Sequence, residues 1–149
     1  MSKKQFHKKD IEDISKKILN KIVKMKRGGA RVVAFSGDLG AGKTTLTKNI
    51  AKEIGIKKSI ISPTFVIMKI YELESNSKYL PHFKKLIHID AYRLDSHLDL
   101  ENLGFLELVK DKDNLIIIEW PEIVEKCLDK NTYFIKLEHI DPDTRVLEF

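Results

Sequence analysis

Arg31-Val32-Val33-Ala34-Phe35-Ser36, running directly into Gly37-Asp38-Leu39-Gly40-Ala41-Gly42-Lys43-Thr44, decides the fold. Between Arg31 and Ser36 four successive residues are apolar, two of them β-branched, the pattern of a strand buried on both faces. The next eight match G-x-x-x-x-G-K-[ST] in full. Beyond them Leu46, Ile50 and Ile54 recur at helical spacing and Gly55 closes the period, which predicts a helix over Thr44 to Ile54. A strand, a glycine-rich loop and a helix in that order form the context in which this motif cradles phosphate. Glycines let the backbone curl so that successive N–H groups point inward, and the helix adds its positive end. Asp38, Leu39, Gly40, Ala41, Gly42, Lys43, Thr44 and Thr45 are therefore the expected nucleotide contacts. Lys43 is placed to reach the β- and γ-phosphates, and the Thr44 hydroxyl to ligate Mg²⁺. The competing reading, a glycine-rich turn with an incidental Lys-Thr, leaves the complete pattern and both flanking elements unexplained.

Working outward, Ile11, Ile14, Ile18, Ile22 and Met25 lie three and four residues apart with lysines between them. They predict an amphipathic N-terminal helix over about 10–27, with Asp10 as N-cap and Gly28-Gly29 as the stop. On the other side, Phe65 to Tyr71 is β-prone after Pro63, with no partner strand evident. Lys85 to Asp90 and Asn114 to Glu119 are two further buried strands, each ending on an acid. Leu98, Leu100, Leu103, Phe105, Leu106 and Val109 suggest one helix, with Gly104 a weak point in its continuity. Tyr133 to Glu138 and Arg145 to Glu148, joined around Asp141-Pro142-Asp143, suggest an antiparallel hairpin. Strands alternating with helices imply an α/β fold, a three-layer sandwich of the P-loop NTPase type with a central parallel sheet and antiparallel edge strands. In such sheets ligands bind beyond the carboxyl ends of the strands.

Length and composition agree with one nucleotide-binding domain over 1–149. The chain has 149 residues, 42% hydrophobic and 33% charged, an ordinary globular mix that excludes a collagen-like repeat or a disulfide miniprotein. No apolar run approaches the roughly 20 residues of a membrane span. No secretory signal is visible, and the lone Cys127 fits a reducing compartment, so a cytoplasmic location without membrane attachment is expected. The net charge of +5 hides an asymmetry: residues 1–58 carry +11 and residues 59–149 carry −6. The basic half suits phosphate partners, though a solvated lysine face explains most of these charges equally well.

Asp90 and Glu119 each fit an acid that holds Mg²⁺ directly or through water, or that positions the attacking water. The residues alone do not divide these roles between them. The plainer reading is a strand-end acid capping the following turn.

The phosphate loop, Ser62-Pro63-Thr64-Phe65, His88-Ile89-Asp90-Ala91-Tyr92-Arg93-Leu94 and Glu119-Trp120-Pro121, in that order, resemble the TsaE (YjeE) family of bacterial P-loop ATPases of tRNA threonylcarbamoyladenosine biosynthesis. The resemblance runs from about Arg31 to Pro121. It implies that Ser62 to Phe65 is a switch-like segment near the γ-phosphate, that Thr44 and Glu119 hold Mg²⁺, and that Asp90 serves hydrolysis beside Lys43. It also implies ATP and ADP as ligands and the TsaD and TsaB proteins as partners, with any tRNA contact indirect or weak. Adenine is favoured over guanine mainly by the resemblance, since no N-K-x-D motif occurs. Thr64 is a candidate γ-phosphate sensor or simply a turn residue beside Pro63, and Trp120 a neighbour of the nucleotide or a half-buried core aromatic. The function expected is an Mg²⁺-dependent ATP-binding protein and weak, partner-stimulated ATPase, with Arg93 the best arginine in cis. The alternatives are a small-molecule kinase, which would need an acceptor pocket and a basic lid, and a nucleotide-gated binding module without hydrolysis.

Overall fold

The computed structural model describes residues 2–26, 28–61 and 66–149. The expectations for Ser62, Pro63, Thr64 and Phe65 therefore lie outside the described residues. Among the described residues, seven strands form one sheet in the spatial order β1 (Lys3–His7), β7 (Thr144–Glu148), β6 (Tyr133–His139), β2 (Arg31–Ser36), β5 (Asn114–Glu119), β4 (Lys85–Asp90) and β3 (Met68–Glu72). The four middle strands β6, β2, β5 and β4 run parallel, while β1, β7 and β3 are antiparallel. The centre belongs to the most apolar runs for a physical reason. A middle strand is covered on both faces, and every residue of β5 is buried, as is every residue of β2 but the last.

Helices α1 (Ile11–Val23) and α2 (Lys43–Glu53) cover one face, where Ile14, Ile18, Leu46 and Ile50 meet Val33, Phe35, Leu115 and Ile117. The short helices α3 (His97–Asn102) and α4 (Phe105–Leu108) cover the other, setting Leu100 and Phe105 against Val32, Ile87, Ile116 and Ile118. Alternate residues of one strand thus serve opposite layers, as the period of two requires. The result is the expected three-layer α/β sandwich. Among the described residues no helix is long and apolar enough to cross a membrane.

Several boundaries differ from expectation. Helix α1 stops at Val23, short of Gly28-Gly29, and a 3-10 turn over Lys8–Asp10 leads into it. Asp10 does occupy the N-cap position, but its side chain makes no capping hydrogen bond. Gly29 serves a close backbone approach instead of a helix stop: a Cβ there would collide with the carbonyl oxygen of Val109, which accepts from the next amide, Ala30 N, at 2.8 Å. The single helix suggested around Phe105 is two, because Gly104 sits at φ +85° and breaks the ladder. Strand β3 begins at Met68 and finds its partner in β4. The hairpin β6–β7 forms as expected, with the Asp141 carboxylate accepting from the amides of Asp143 and Thr144. Strand β1 was not anticipated. Its sequence Lys-Lys-Gln-Phe-His has one buried side chain, Phe6, and too little hydrophobic alternation to reveal a strand; pairing with β7 supplies the rest.

Leu46 is fully buried under the loop that α2 begins, whereas Leu39 on that loop is 84% exposed. Leu46→Ala should destabilise the fold by about 2–5 kcal/mol. Leu39→Ala should stay within about 0.5 kcal/mol of the parent. Urea unfolding midpoints of the two variants check the contrast.

Candidate functional site

The loop between β2 and α2 is shaped by three glycines in the left-handed half of backbone space, Gly37 at φ +138°, Gly40 at +80° and Gly42 at +106°. At Gly37 the constraint is also steric, since a Cβ would strike the carbonyl oxygen of Leu137 on β6. The first turn of α2 follows Gly42, so its unsatisfied N–H groups face the loop's concavity. A cavity of about 220 Å³ opens there, walled by Leu39, Gly40, Gly42, Lys43, Thr44, Thr45, Asp90, Glu119 and Trp120. Asp38 and Ala41 complete the loop without lining that cavity, and Asp38 O accepts from Ala41 N at 3.0 Å.

The two acids arrive together because β4 and β5 are parallel and in register, with Asp90 directly opposite Glu119. Both are buried, at 6% and 2% exposure. Like charges facing each other across a sheet are unfavourable, so each carboxylate needs donors. Asp90 Oδ1 accepts from the Tyr92 amide at 3.0 Å, so the plainer capping role is real for that oxygen. Glu119 accepts from the Thr44 hydroxyl, 3.0 and 2.9 Å from Oε1 and Oε2. It also meets His88 Nε2 at 2.7 Å. Thr44 and two carboxylates around one cavity form a set of hard oxygen donors, the kind Mg²⁺ prefers.

Lys43 is 5% exposed and donates to the carbonyls of Gly37 and Asp38, the latter at 3.0 Å. Its ammonium also lies 4.1 Å from the centroid of the Trp120 ring. Burial pulls its pKa below the ordinary lysine range, against the carboxylates of Glu119, Glu122, Asp90 and Asp38, which favour the charged form. Trp120 is the expected half-buried core aromatic, packed on the second core, and its ring also lines the cavity. Its backbone is left-handed at φ 59° and ψ 52°, and Tyr92 rests against it at 5.0 Å between ring centroids.

Of the arginines, Arg31 is 1% exposed at the start of β2, the end of the strand remote from the loop. Arg93 is exposed on the 3-10 turn after Asp90. Arg145 escaped the sequence reading. It is buried on β7, anchored through Nη1 to the carbonyls of Asp141 and Thr144, and its Nε comes within 4.0 Å of where a Cβ of Gly42 would lie. Only the hairpin register brings that positive charge behind the loop; a lone arginine on a hairpin strand carries no sequence signal. Cys127 lies outside the site, and burial with the nearby Glu101 raises its pKa, as befits an unreactive thiol.

This fold and loop define a P-loop α/β protein. The family model for the threonylcarbamoyl adenosine biosynthesis protein TsaE matches residues 7–147. A protein named tRNA threonylcarbamoyladenosine biosynthesis protein TsaE from Borreliella burgdorferi is 35% identical over 79% of this chain and 80% of its own length. The protein of that name from Streptomyces coelicolor is 34% identical over 83% of this chain and 78% of its own. The crystal structure of YdiB from Bacillus subtilis superposes with a TM-score of 0.68 at 26% identity, covering 98% of this chain and 83% of that one. The chain belongs to the TsaE family.

Positive φ alone and positive φ with a collision should be separable. Gly40→Ala meets no neighbouring atom and should cost only the left-handed strain, about 1–2 kcal/mol. Gly37→Ala adds the clash with Leu137 O and should lower the melting temperature clearly further. Thermal melts of both variants, read beside the parent, give the answer.

Proposed function

We propose that this chain is an Mg²⁺-dependent ATP-binding protein and weak ATPase that acts with the TsaB and TsaD proteins in tRNA threonylcarbamoyladenosine modification. Family membership supports the pathway. The observation that carries the chemistry is the convergence of Lys43, Thr44, Asp90 and Glu119 on one cavity at the mouth of a glycine-rich loop.

In this reading the N–H groups of the loop and of the first turn of α2 hold the phosphates. Lys43 exchanges its carbonyl acceptors, Gly37 O and Asp38 O, for β- and γ-phosphate oxygens and brings a point charge to them. The Thr44 hydroxyl and Glu119 hold Mg²⁺. Bound there, the ion neutralises charge that develops on the phosphates during transfer to water. Asp90, opposite Glu119 and on the same wall, orients the attacking water. Thr64 senses the γ-phosphate through its hydroxyl, and the segment from Ser62 to Phe65 reports the nucleotide state to the partners. Among the described residues no arginine lines the cavity; in this reading intrinsic turnover is slow and a partner completes the site. The lysine-rich face of α1 gives at most a weak or indirect tRNA contact.

Lys43→Ala should abolish ATP binding with little loss of stability. Asp90→Asn should depress turnover more than affinity, because a group that orients water acts mainly in the transition state, whereas Glu119→Gln should also weaken Mg²⁺-dependent binding. Titrations of labelled ATP with and without Mg²⁺, together with phosphate release in the presence and absence of TsaB and TsaD, test both statements. Wild-type ATP affinity in Lys43→Ala would sink the loop assignment. A phosphorylated metabolite in place of free phosphate would mean a kinase.

Thr64→Ala should leave ADP affinity unchanged and reduce the difference between ATP- and ADP-state binding to TsaB and TsaD. Loss of one hydrogen bond to a charged group, about 1.5–3 kcal/mol, removes roughly a tenfold to hundredfold preference. Partner affinities measured in both nucleotide states decide it.

A further inference from the structure

His88 sits in the middle of β4, in the run Leu86-Ile87-His88-Ile89, with a side chain at 0% exposure. An imidazole in such a place must find partners, or a leucine would serve the core better. It finds one. Strand pairing sets His88 opposite Ile117 and Asp90 opposite Glu119, so His88 shares a sheet face with Glu119 and reaches it diagonally, Nε2 to Oε1 at 2.7 Å. The second ring nitrogen, Nδ1, is buried without a hydrogen-bond partner among the described residues. A proton on Nδ1 would leave a buried donor unmet, whereas an unprotonated Nδ1 is only an unused acceptor. The proton therefore belongs on Nε2, where the carboxylate accepts it.

The geometry points to His88 as a positioning residue for Glu119: its Nε2–H engages Oε1 and so leaves Oε2 as the oxygen presented to the cavity. This rests on the reading of Glu119 as an Mg²⁺ ligand and adds to it the group that sets which carboxylate oxygen is presented. The Thr44 hydroxyl lies about equally far from both oxygens, 3.0 and 2.9 Å, so it does not choose between them. Only His88 breaks that symmetry among the described residues. Partners behind a metal ligand characteristically contribute about 10–100-fold to metal affinity.

Two substitutions separate orientation from packing. His88→Leu keeps the bulk and removes the donor, while His88→Gln places an amide N–H close to the position of Nε2. The readout is the Mg²⁺ concentration at half-maximal, metal-dependent binding of a fluorescent ATP analogue, with the affinity in EDTA as reference. His88→Leu should raise the Mg²⁺ midpoint about 10–100-fold and leave the EDTA affinity within about twofold. His88→Gln should restore the midpoint to within a few-fold of the parent. Combined with Glu119→Gln, His88→Leu should add nothing further, because it acts through that carboxylate. Equal shifts in the Leu and Gln variants, or no shift in either while Glu119→Gln moves the midpoint, overturn the positioning role. If Glu119→Gln also leaves the midpoint in place, the metal-ligand reading falls and this inference falls with it. Should His88→Leu fail to fold, imidazole nitrogen NMR on the parent protein decides. A proton on Nε2 supports the inference, and an unprotonated Nε2 overturns it.

Discussion

A carboxylate at 2% exposure has to be met by donors, and the donors for Glu119 come from two other elements of the fold. Thr44 reaches it from the first turn of α2, and His88 reaches it from the neighbouring strand β4. A one-residue slip between β4 and β5 would turn His88 to the opposite face and leave Thr44 as the remaining donor to the charge. The register of the sheet, the entry angle of α2 and the shape of the cavity are thus tied to one buried group.

The glycine loop is held by a second constraint of a different kind. At Gly37 the backbone passes so close to Leu137 O that no side chain fits, and this pins the loop to β6. Lys43 is drawn in under the same arch, where burial disfavours its charge while four surrounding acids favour it. Trp120 closes the opposite side in a left-handed conformation that a tryptophan rarely adopts, with its ring within 4.1 Å of the lysine ammonium. Glycine-rich backbone, a buried cation and a left-handed aromatic therefore line one cavity.

The motifs that carry chemistry lie between Arg31 and Pro121, yet the family match spans residues 7–147. The outer parts are matched because they complete the core. Helix α1 buries Ile14, Ile18, Leu19 and Ile22 against the face that α2 also covers, and the β6–β7 hairpin adds Ile135, Leu137 and Leu147 to it. Burial of those side chains stabilises the layer on which the phosphate loop rests. Arg145, carried on the same hairpin, lies directly behind Gly42.

By itself the sequence determined the central strands, the phosphate loop, the two strand-end acids and the hairpin, because each is written in local periodicity or in a contiguous motif. Arg31 to Ser36, Lys85 to Asp90 and Asn114 to Glu119 could be read to the residue, since in each a short run dominated by apolar residues is bounded by a polar residue at both ends. Tertiary structure alone decided the rest. β1 is a strand only because β7 offers it an edge, Gly29 is required by the carbonyl of Val109, and Arg145 reaches the loop through hairpin register. The division of donors between Asp90 and Glu119 was equally invisible in one dimension. Residues 88, 90 and 119 become neighbours only when two parallel strands pair, and pairing is a long-range choice that no local pattern encodes.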